Sequence, residues 1–325
     1  MTTPATRPRD DPAELAEGVL RGEPAKVARM LSLVESGDVG ARAAIASLTA
    51  SGGHAHTIGI TGAPGAGKSS LTDRLITLLR ARGDAVAVLA VDPSSARTGG
   101  AILGDRVRMS VHATDPGVFI RSMATRGHLG GLTTATPQAI RVLDATGTPW
   151  ILVETVGVGQ VELDIADAAD TTVVVVNPGW GDGVQANKAG LLEVADVFVV
   201  NKADRPGADG AVKDLVSMLE FGSHQPWTPP IVETVATTGE GVDRLWDAIA
   251  DHRDHLVGTG LLERRRRERL HDEVRETVKA HVLRIVEERC RGPRFDAIVE
   301  EQSRGDFDPQ RVAEQVLAEA FGAAS

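Results

Sequence analysis

Short apolar runs alternate with amphipathic segments through the middle of this chain. The runs are 57–61 (TIGIT), 85–91 (AVAVLAV), 117–122 (GVFIRS), 150–155 (WILVET), 171–176 (TTVVVV), 196–201 (DVFVVN) and 230–235 (PIVETV). Several show no polar alternation, which marks strands covered on both faces. Between them, helical periodicity over 68–82, 131–145, 184–194 and 209–220 predicts crossover helices. A last helix over 241–257 places Val242, Leu245, Ile249 and Leu256 on one face. Such alternation predicts an α/β fold: a mostly parallel sheet flanked by helices.

The flanks read differently. Residues 11–51 place Leu15, Val19 and Leu20, then Val27, Leu31 and Leu33, then Ala44, Ile45 and Leu48 at helical spacing, and SGGH at 51–54 breaks the pattern. After VGTG at 257–260, one long helical pattern carries Leu262, Leu270, Val274, Val278, Val282, Ile285 and Val286. Its Arg-rich opening, RRRRER at 264–269, reads as a solvated or intersubunit face. Residues 291–306 contain GP and RGD turns, and 309–321 read as helical. The expected organisation is an N-terminal helical extension (1–54), a nucleotide-binding α/β domain (55–258) and a C-terminal helical arm (259–325). The apolar stripe of the arm has no second domain to cover it. It is expected to bury against a second copy of the chain, with packing back on its own domain as the competing account.

Composition narrows the class. Of 325 residues, 42% are hydrophobic and 25% charged, which is ordinary globular usage. Tyr is absent, aromatic residues make up 3% and the net charge is −10, so a base-stacking or phosphate-backbone nucleic-acid surface is not expected. The single cysteine, Cys290, excludes an intramolecular disulfide. The first residues lack an apolar run and no stretch is long enough for a membrane span, so a cytoplasmic protein is expected.

GAPGAGKSS follows the first strand run directly and opens a helix. It comprises Gly62, Ala63, Pro64, Gly65, Ala66, Gly67, Lys68, Ser69 and Ser70, and it fits G-x-x-x-x-G-K-[ST] in the required strand-to-helix context. Glycines let successive N–H groups turn inward around phosphate oxygens, and the helix N-terminus adds its positive end. Lys68 is expected against the β- and γ-phosphates, and Ser69 at Mg²⁺.

NKAD, Asn201 to Asp204, ends an apolar strand over 130 residues later. Guanine offers two donors, N1–H and the exocyclic amine, that one carboxylate accepts together, so Asp204 selects GTP and GDP over adenine nucleotides. Asn201 would brace the loop, and the stem of Lys202 would cover the ring.

Three further segments carry candidate chemistry. Glu154 ends the strand 150–155 where such proteins hold the magnesium shell, and Gly157 follows with room for its N–H to reach a γ-phosphate. Asp92 ends a strand ahead of a Gly- and Ser-rich loop that closes on Asp105, and both are candidate magnesium-shell or water-positioning acids, with capping or turn chemistry as the alternative. The loop 178–188 (PGWGDGVQANK) carries Asp182, Gln185 and Lys188. Its residues alone leave an ordinary strand-to-helix loop equally open.

Together TGAPGAGKSSL, VDPSSARTGGAILGDRVRM, RSMATRGHLGGL, ETVGVGQVE and VVNKAD closely resemble one family, the methylmalonyl-CoA mutase-associated GTPases known as MeaB or ArgK, over about residues 11–322. The resemblance implies a homodimer whose client is an adenosylcobalamin-dependent acyl-CoA mutase, with the GTPase gating cofactor loading and protecting or rescuing the mutase. It assigns phosphate contacts to Gly62, Gly67, Lys68 and Ser69, and magnesium and switch acids to Asp92, Asp105 and Glu154. It assigns a partner-responsive switch to 178–188 with Asp182 and Lys188, and base contacts to Asn201, Lys202 and Asp204. Two departures stand out. Val235, Ala236 and Thr237 occupy the place of a Ser-Ala-Leu-type base contact, which must then be made largely by backbone. Trp180 and Asn187 are unusual in the switch loop. No water-orienting glutamine or arginine finger presents itself, so slow intrinsic hydrolysis, completed by a partner, is expected. The alternatives are a P-loop kinase, against which NKAD speaks, and a GTP-dependent metallochaperone, weakened by the lack of a Cys-x-x-Cys or His-rich tract.

Overall fold

The computed structural model describes residues 11–48, 52–92, 110–124, 135–155, 161–179, 193–221, 226–303 and 308–321. Three helices, α1 (Pro12–Leu20), α2 (Pro24–Ser36) and α3 (Val39–Leu48), precede β1 (His56–Gly62). There follow α4 (Lys68–Ala81), β2 (Val86–Asp92), β3 (Val118–Ala124), α5 (Ala135–Asp144), β4 (Trp150–Thr155) and α6 (Val161–Ala168). Then come β5 (Thr171–Val176), β6 (Val197–Asn201), α7 (Ala208–Phe221), β7 (Ile231–Thr234) and α8 (Val242–Gly258). The seven strands form one sheet in the order β3-β2-β4-β1-β5-β6-β7, and every pairing is parallel. All seven strands expected from the apolar runs are present.

Local chemistry accounts for the helix ends. Asp11 caps α1 by accepting the Ala13 N–H at 2.9 Å, and Pro12 stands at a first-turn position where its missing N–H costs nothing. Pro24 starts α2 in the same way, and Gly37, with φ 68°, closes it by donating back to Val34 while Asp38 donates to Leu33.

Alternate strand residues face opposite layers. On one face Ala87, Leu89, Val91, Met123, Ile151 and Val153 pack under α5 and, through Leu15, Val19, Met30, Leu31 and Val34, under the N-terminal helices. On the other face Ile58, Ile60, Val88, Leu152, Val173 and Val199 pack against Leu71, Leu75, Ile76 and Leu79 of α4 and Leu245 and Ile249 of α8. The N-terminal extension therefore supplies part of the cover that a parallel sheet requires on both faces.

The amino-terminal ends of β1, β5 and β6 meet a long helix, α9 (Leu261–Arg289), at a buried polar cluster. Asp170 is 1% exposed and receives Arg266 twice, Nε to Oδ1 at 3.1 Å and the terminal nitrogen to Oδ2 at 2.6 Å. The same guanidinium donates to the carbonyls of Gly53 and Ala55, and so holds the segment that enters β1. Arg265 pairs with Asp196 at 3.2 Å, and His252 lies 3.1 Å from the same oxygen. Burial raises the Asp196 carboxyl, but the hydrogen bond and charge of His252, with Arg265 and the Thr172 amide, bring it below its ordinary range. Thr171 Oγ1 lies 2.8 Å from both His56 Nε2 and His252 Nδ1. Burial pushes the His56 imidazole down to about 4, against the opposing pull of Asp170. Arg265 and Arg266 thus anchor the start of α9, where the sequence suggests a solvated or intersubunit face.

The described residues divide into two compact units, the first ending at Arg266 and the second beginning at Arg267. In the second, α10 (Pro293–Ser303) and α11 (Pro309–Phe321) follow α9 and pack through Ile298, Val312 and Val316, with Phe295 and Val299 beside them. Of the GP and RGD turns expected within 291–306, the chain bends at 291–292 and the RGD segment lies outside the described residues, while 293–303 are helical: Pro293 has no N–H to satisfy and its fixed φ suits a helix start. Among the described residues no helix is long and apolar enough to cross a membrane.

Candidate functional site

The site is built along the carboxyl edge of the sheet, where β1, with its neighbours β4 and β5, opens the crevice that parallel sheets offer to ligands. Gly62 ends β1 with φ 134°, and a Cβ there would stand 2.0 Å from the Val175 carbonyl oxygen. Gly67, with φ 98°, would place a Cβ 2.3 Å from Asn201 Nδ2. No other residue fits either position, which is why the loop needs glycine at both ends. Helix α4 starts at Lys68, whose ammonium turns back over the loop and donates to the carbonyls of Gly62 at 2.6 Å and Ala63 at 3.1 Å. The amine is thus carried on the mouth of a loop whose amides and helix start are suited to phosphate.

Glu154 sits on β4 in register with Ile60 of β1, next to the loop. Ser69 Oγ donates to Glu154 Oε1 at 2.5 Å, and Glu154 is 1% exposed. A hydroxyl and a buried carboxylate in contact beside the phosphate loop form an all-oxygen donor set of the kind hard divalent cations take.

Asn201, the last residue of β6, ties three segments together. Its Nδ2 donates to the Ala66 carbonyl at 2.8 Å, while its Oδ1 accepts from the Ala236 N–H at 3.1 Å and from Thr234 Oγ1 at 3.2 Å. With Asn201 buried at 2%, these three bonds use both lone pairs of its oxygen and one of its two N–H groups, and they hold the phosphate loop and the β7–α8 turn in one frame. Lys202 has φ 59° and donates to the Gly65 carbonyl at 2.7 Å, so its stem runs beside the phosphate loop. Asp204 is exposed on the following turn, where its carboxylate is open to a base. Val235 and Ala236 are buried and Thr237 is exposed, so the turn presents mainly backbone, as the absence of a Ser-Ala-Leu-type sequence there implies.

The structure thus brings Gly62 to Ser70, Glu154, Asn201 to Asp204 and Val235 to Thr237 to one edge. Asp92 closes β2 on that same edge, although its side chain lies outside the described residues, as do Asp105, Gly157, Asp182, Gln185 and Lys188. One contributor is absent from the sequence reading. Arg74, on α4, donates to the carbonyls of Ala236 and Thr237, and no motif links residues so far apart in the chain.

The family described as Methylmalonyl Co-A mutase-associated GTPase MeaB matches residues 27–291. A putative GTPase of Pyrococcus abyssi is 49% identical over 313 residues, covering 95% of this chain and 97% of its own. The mouse methylmalonic aciduria type A homolog, a mitochondrial protein, is 37% identical over 64% of this chain and 52% of its own length. A solved structure described as LAO/AO transport system kinase superposes with a TM-score of 0.71 at 25% identity, covering 97% of this chain and 99% of that one. A family match over most of the length, on a seven-stranded parallel sheet with a phosphate loop at its edge, places the chain in the MeaB family of GTPases.

Proposed function

We propose that this GTPase is magnesium-dependent and acts as chaperone to an adenosylcobalamin-dependent acyl-CoA mutase, methylmalonyl-CoA mutase or a relative, gating cofactor loading and protecting or reactivating the mutase. The observation that carries the nucleotide part is the Asn201 amide, which bonds at once to the phosphate loop and to the β7–α8 turn. A nucleotide bridging those two elements is therefore met by a frame already held in place. The mutase part is supported by the family's description and by the name of the mouse relative.

In this reading the amides from Gly62 to Ser70 cradle the phosphates, and Lys68 contacts the β- and γ-phosphates. Asp204 accepts from guanine, Asn201 and Lys202 support the base, and Val235, Ala236 and Thr237 meet it through backbone. The contact between Ser69 and Glu154 fits Mg²⁺, with Asp92 and Asp105 completing the shell directly or through water. When bound, Mg²⁺ neutralises charge on the phosphates. The protein's own part in hydrolysis is to orient the γ-phosphate towards water, with Gly157 lending an N–H and Lys68 offsetting the charge that develops. Asp182, Gln185 and Lys188 form the partner-responsive element, and Lys188 adds its charge when the mutase holds that loop closed.

The test is GTP turnover with and without a cobalamin-dependent acyl-CoA mutase. Complex formation is expected to raise the rate at least about tenfold, equivalent to about 1.4 kcal/mol of barrier. Lys188→Ala should remove that increment. A parent enzyme that no acyl-CoA mutase stimulates would count against the client assignment, and equal stimulation of parent and variant against the switch.

The arm is proposed to form a two-fold homodimer. Leu270, Val274, Val278 and Val282 recur every four residues along α9 and are 39–56% exposed, an apolar stripe that a second copy would cover. Val274→Glu combined with Val278→Glu is expected to convert the dimer to monomer in sedimentation. An unchanged dimer would exclude this stripe as the interface. A cytoplasmic setting is part of the same proposal.

A further inference from the structure

We propose that Arg74 is a positioning residue for guanine recognition, acting from the phosphate-loop helix on the peptide that reads the base; this rests on the base-binding role given above to Asp204 and the β7–α8 turn. The turn is one helical turn in miniature: the N–H groups of Thr238, at 3.1 Å, and Gly239, at 2.9 Å, both return to the Val235 carbonyl. In such a turn the carbonyls after the first residue point one way along its axis and the leading N–H groups point the other. Both ends are held by side chains. At the trailing end, Arg74 Nε donates to the Ala236 carbonyl at 2.9 Å, and a terminal nitrogen of the same guanidinium donates to the Thr237 carbonyl at 2.6 Å. At the leading end, the Ala236 N–H is taken by Asn201 Oδ1 at 3.1 Å.

Three of the four backbone polar groups of Ala236 and Thr237 are therefore assigned, two to Arg74 and one to Asn201. The fourth is the Thr237 N–H. Because the peptide is planar and trans, this N–H points opposite to the Ala236 carbonyl. It leaves the turn away from Arg74 and beside the Ala236 N–H, on the side of the Asn201–Asp204 loop. A donor there matches the O6 carbonyl of guanine, an acceptor that a carboxylate cannot serve, and mismatches adenine, which carries an amine at that position. Asp204 reads the donors of guanine, and the Thr237 amide reads its acceptor. A planar guanidinium fixes two successive carbonyls at once and so sets the direction of the amide, which a single ammonium cannot do equally well.

The experiment compares the dissociation constant for GDP with that for 6-thioguanosine diphosphate, which keeps the N1–H and the N2 amine and puts a weakly accepting sulfur in place of O6. It uses the full-length parent, Arg74→Ala and Arg74→Lys. The parent should favour GDP over both the analogue and ADP. Arg74→Ala should weaken GDP binding about tenfold, the scale of one lost hydrogen bond of this kind, and change analogue binding less than about twofold. Arg74→Lys should fall between, and for both variants KM for GTP should rise while kcat stays within about twofold. Should alanine compromise folding, the lysine variant carries the test alone through the ratio of the two constants. Parallel loss for GDP and the analogue would show a merely structural role and overturn the proposal, as would no loss for either. A parent that does not prefer GDP to ADP would overturn the base-reading assignment itself, and with it the proposal.

Discussion

Lys68→Ala is expected to lower GTP turnover by about a thousandfold, the scale for removing one preorganised group that meets charge developing in a transition state. The ammonium starts α4 and rests on the carbonyls of Gly62 and Ala63, so its position is set by the loop it serves. The side chain is buried, and its removal leaves two carbonyls that water can reach through the loop mouth, so the stability cost should stay near 1 kcal/mol. Catalysis and folding therefore separate. Turnover should collapse while the thermal midpoint shifts by only a few degrees. Lys68→Arg should not restore activity, because a planar fork cannot replace a compact point charge within this loop. Turnover within tenfold of the parent in Lys68→Ala would exclude the phosphate role.

Arg266→Ala should cost about 3 kcal/mol of stability at pH 7.5, because it leaves the Asp170 carboxylate buried without its guanidinium. It also releases the segment at Gly53 and Ala55 that leads into β1. The same cluster makes the effect depend on pH. Burial lowers the folded-state pKa of His56 from an ordinary 6.5 to about 4, with Arg266 among the charges that lower it. Above pH 6.5 both folded and unfolded imidazoles are neutral and nothing is lost. As the pH falls from 6.5 towards 4, the unfolded chain takes up a proton that the folded one refuses, and the parent loses stability. Linkage puts that loss at about 2 kcal/mol by pH 5. Without Arg266, His56 lies 3.8 Å from a carboxylate with one fewer opposing charge, although Arg253 and His252 remain, so it protonates more readily in the folded state. The penalty of Arg266→Ala should therefore shrink between pH 7.5 and pH 5. Urea unfolding of both proteins at the two pH values measures this. A penalty below 1 kcal/mol at pH 7.5, or one that grows towards pH 5, would contradict the account of the cluster.

Much of this molecule is legible along the chain because the physics involved is local. A strand buried on both faces must be apolar throughout, so seven runs mark seven strands. A phosphate loop needs glycine where its backbone turns, and Gly62 and Gly67 answer contacts that admit no Cβ. The acid at the end of β4 and the NKAD segment at the end of β6 are readable for the same reason, since strand ends deliver side chains to one edge. Helix α10 shows the limit of local reading: Gly292 and Pro293 signal a break, and only packing of Ile298 on α11 makes the following residues helical.

What the sequence by itself determined is the set of strands, the glycine-bearing loop after β1 and the strand ends that carry the candidate site residues, because each follows from chemistry within a few positions. The tertiary structure alone decided the strand order that sets β4 and β5 beside β1, since pairing among buried parallel strands of similar composition carries no local mark. It alone decided the clasp of Arg74 on a turn 162 residues away and the pairing of Arg266 with Asp170 across 96 residues. In both, the arginine reads in sequence as an ordinary surface charge on a helix. Its role depends on which carbonyls or carboxylate the fold buries within its reach, because a hydrogen bond gains its strength and its penalty for loss from the exclusion of water around it.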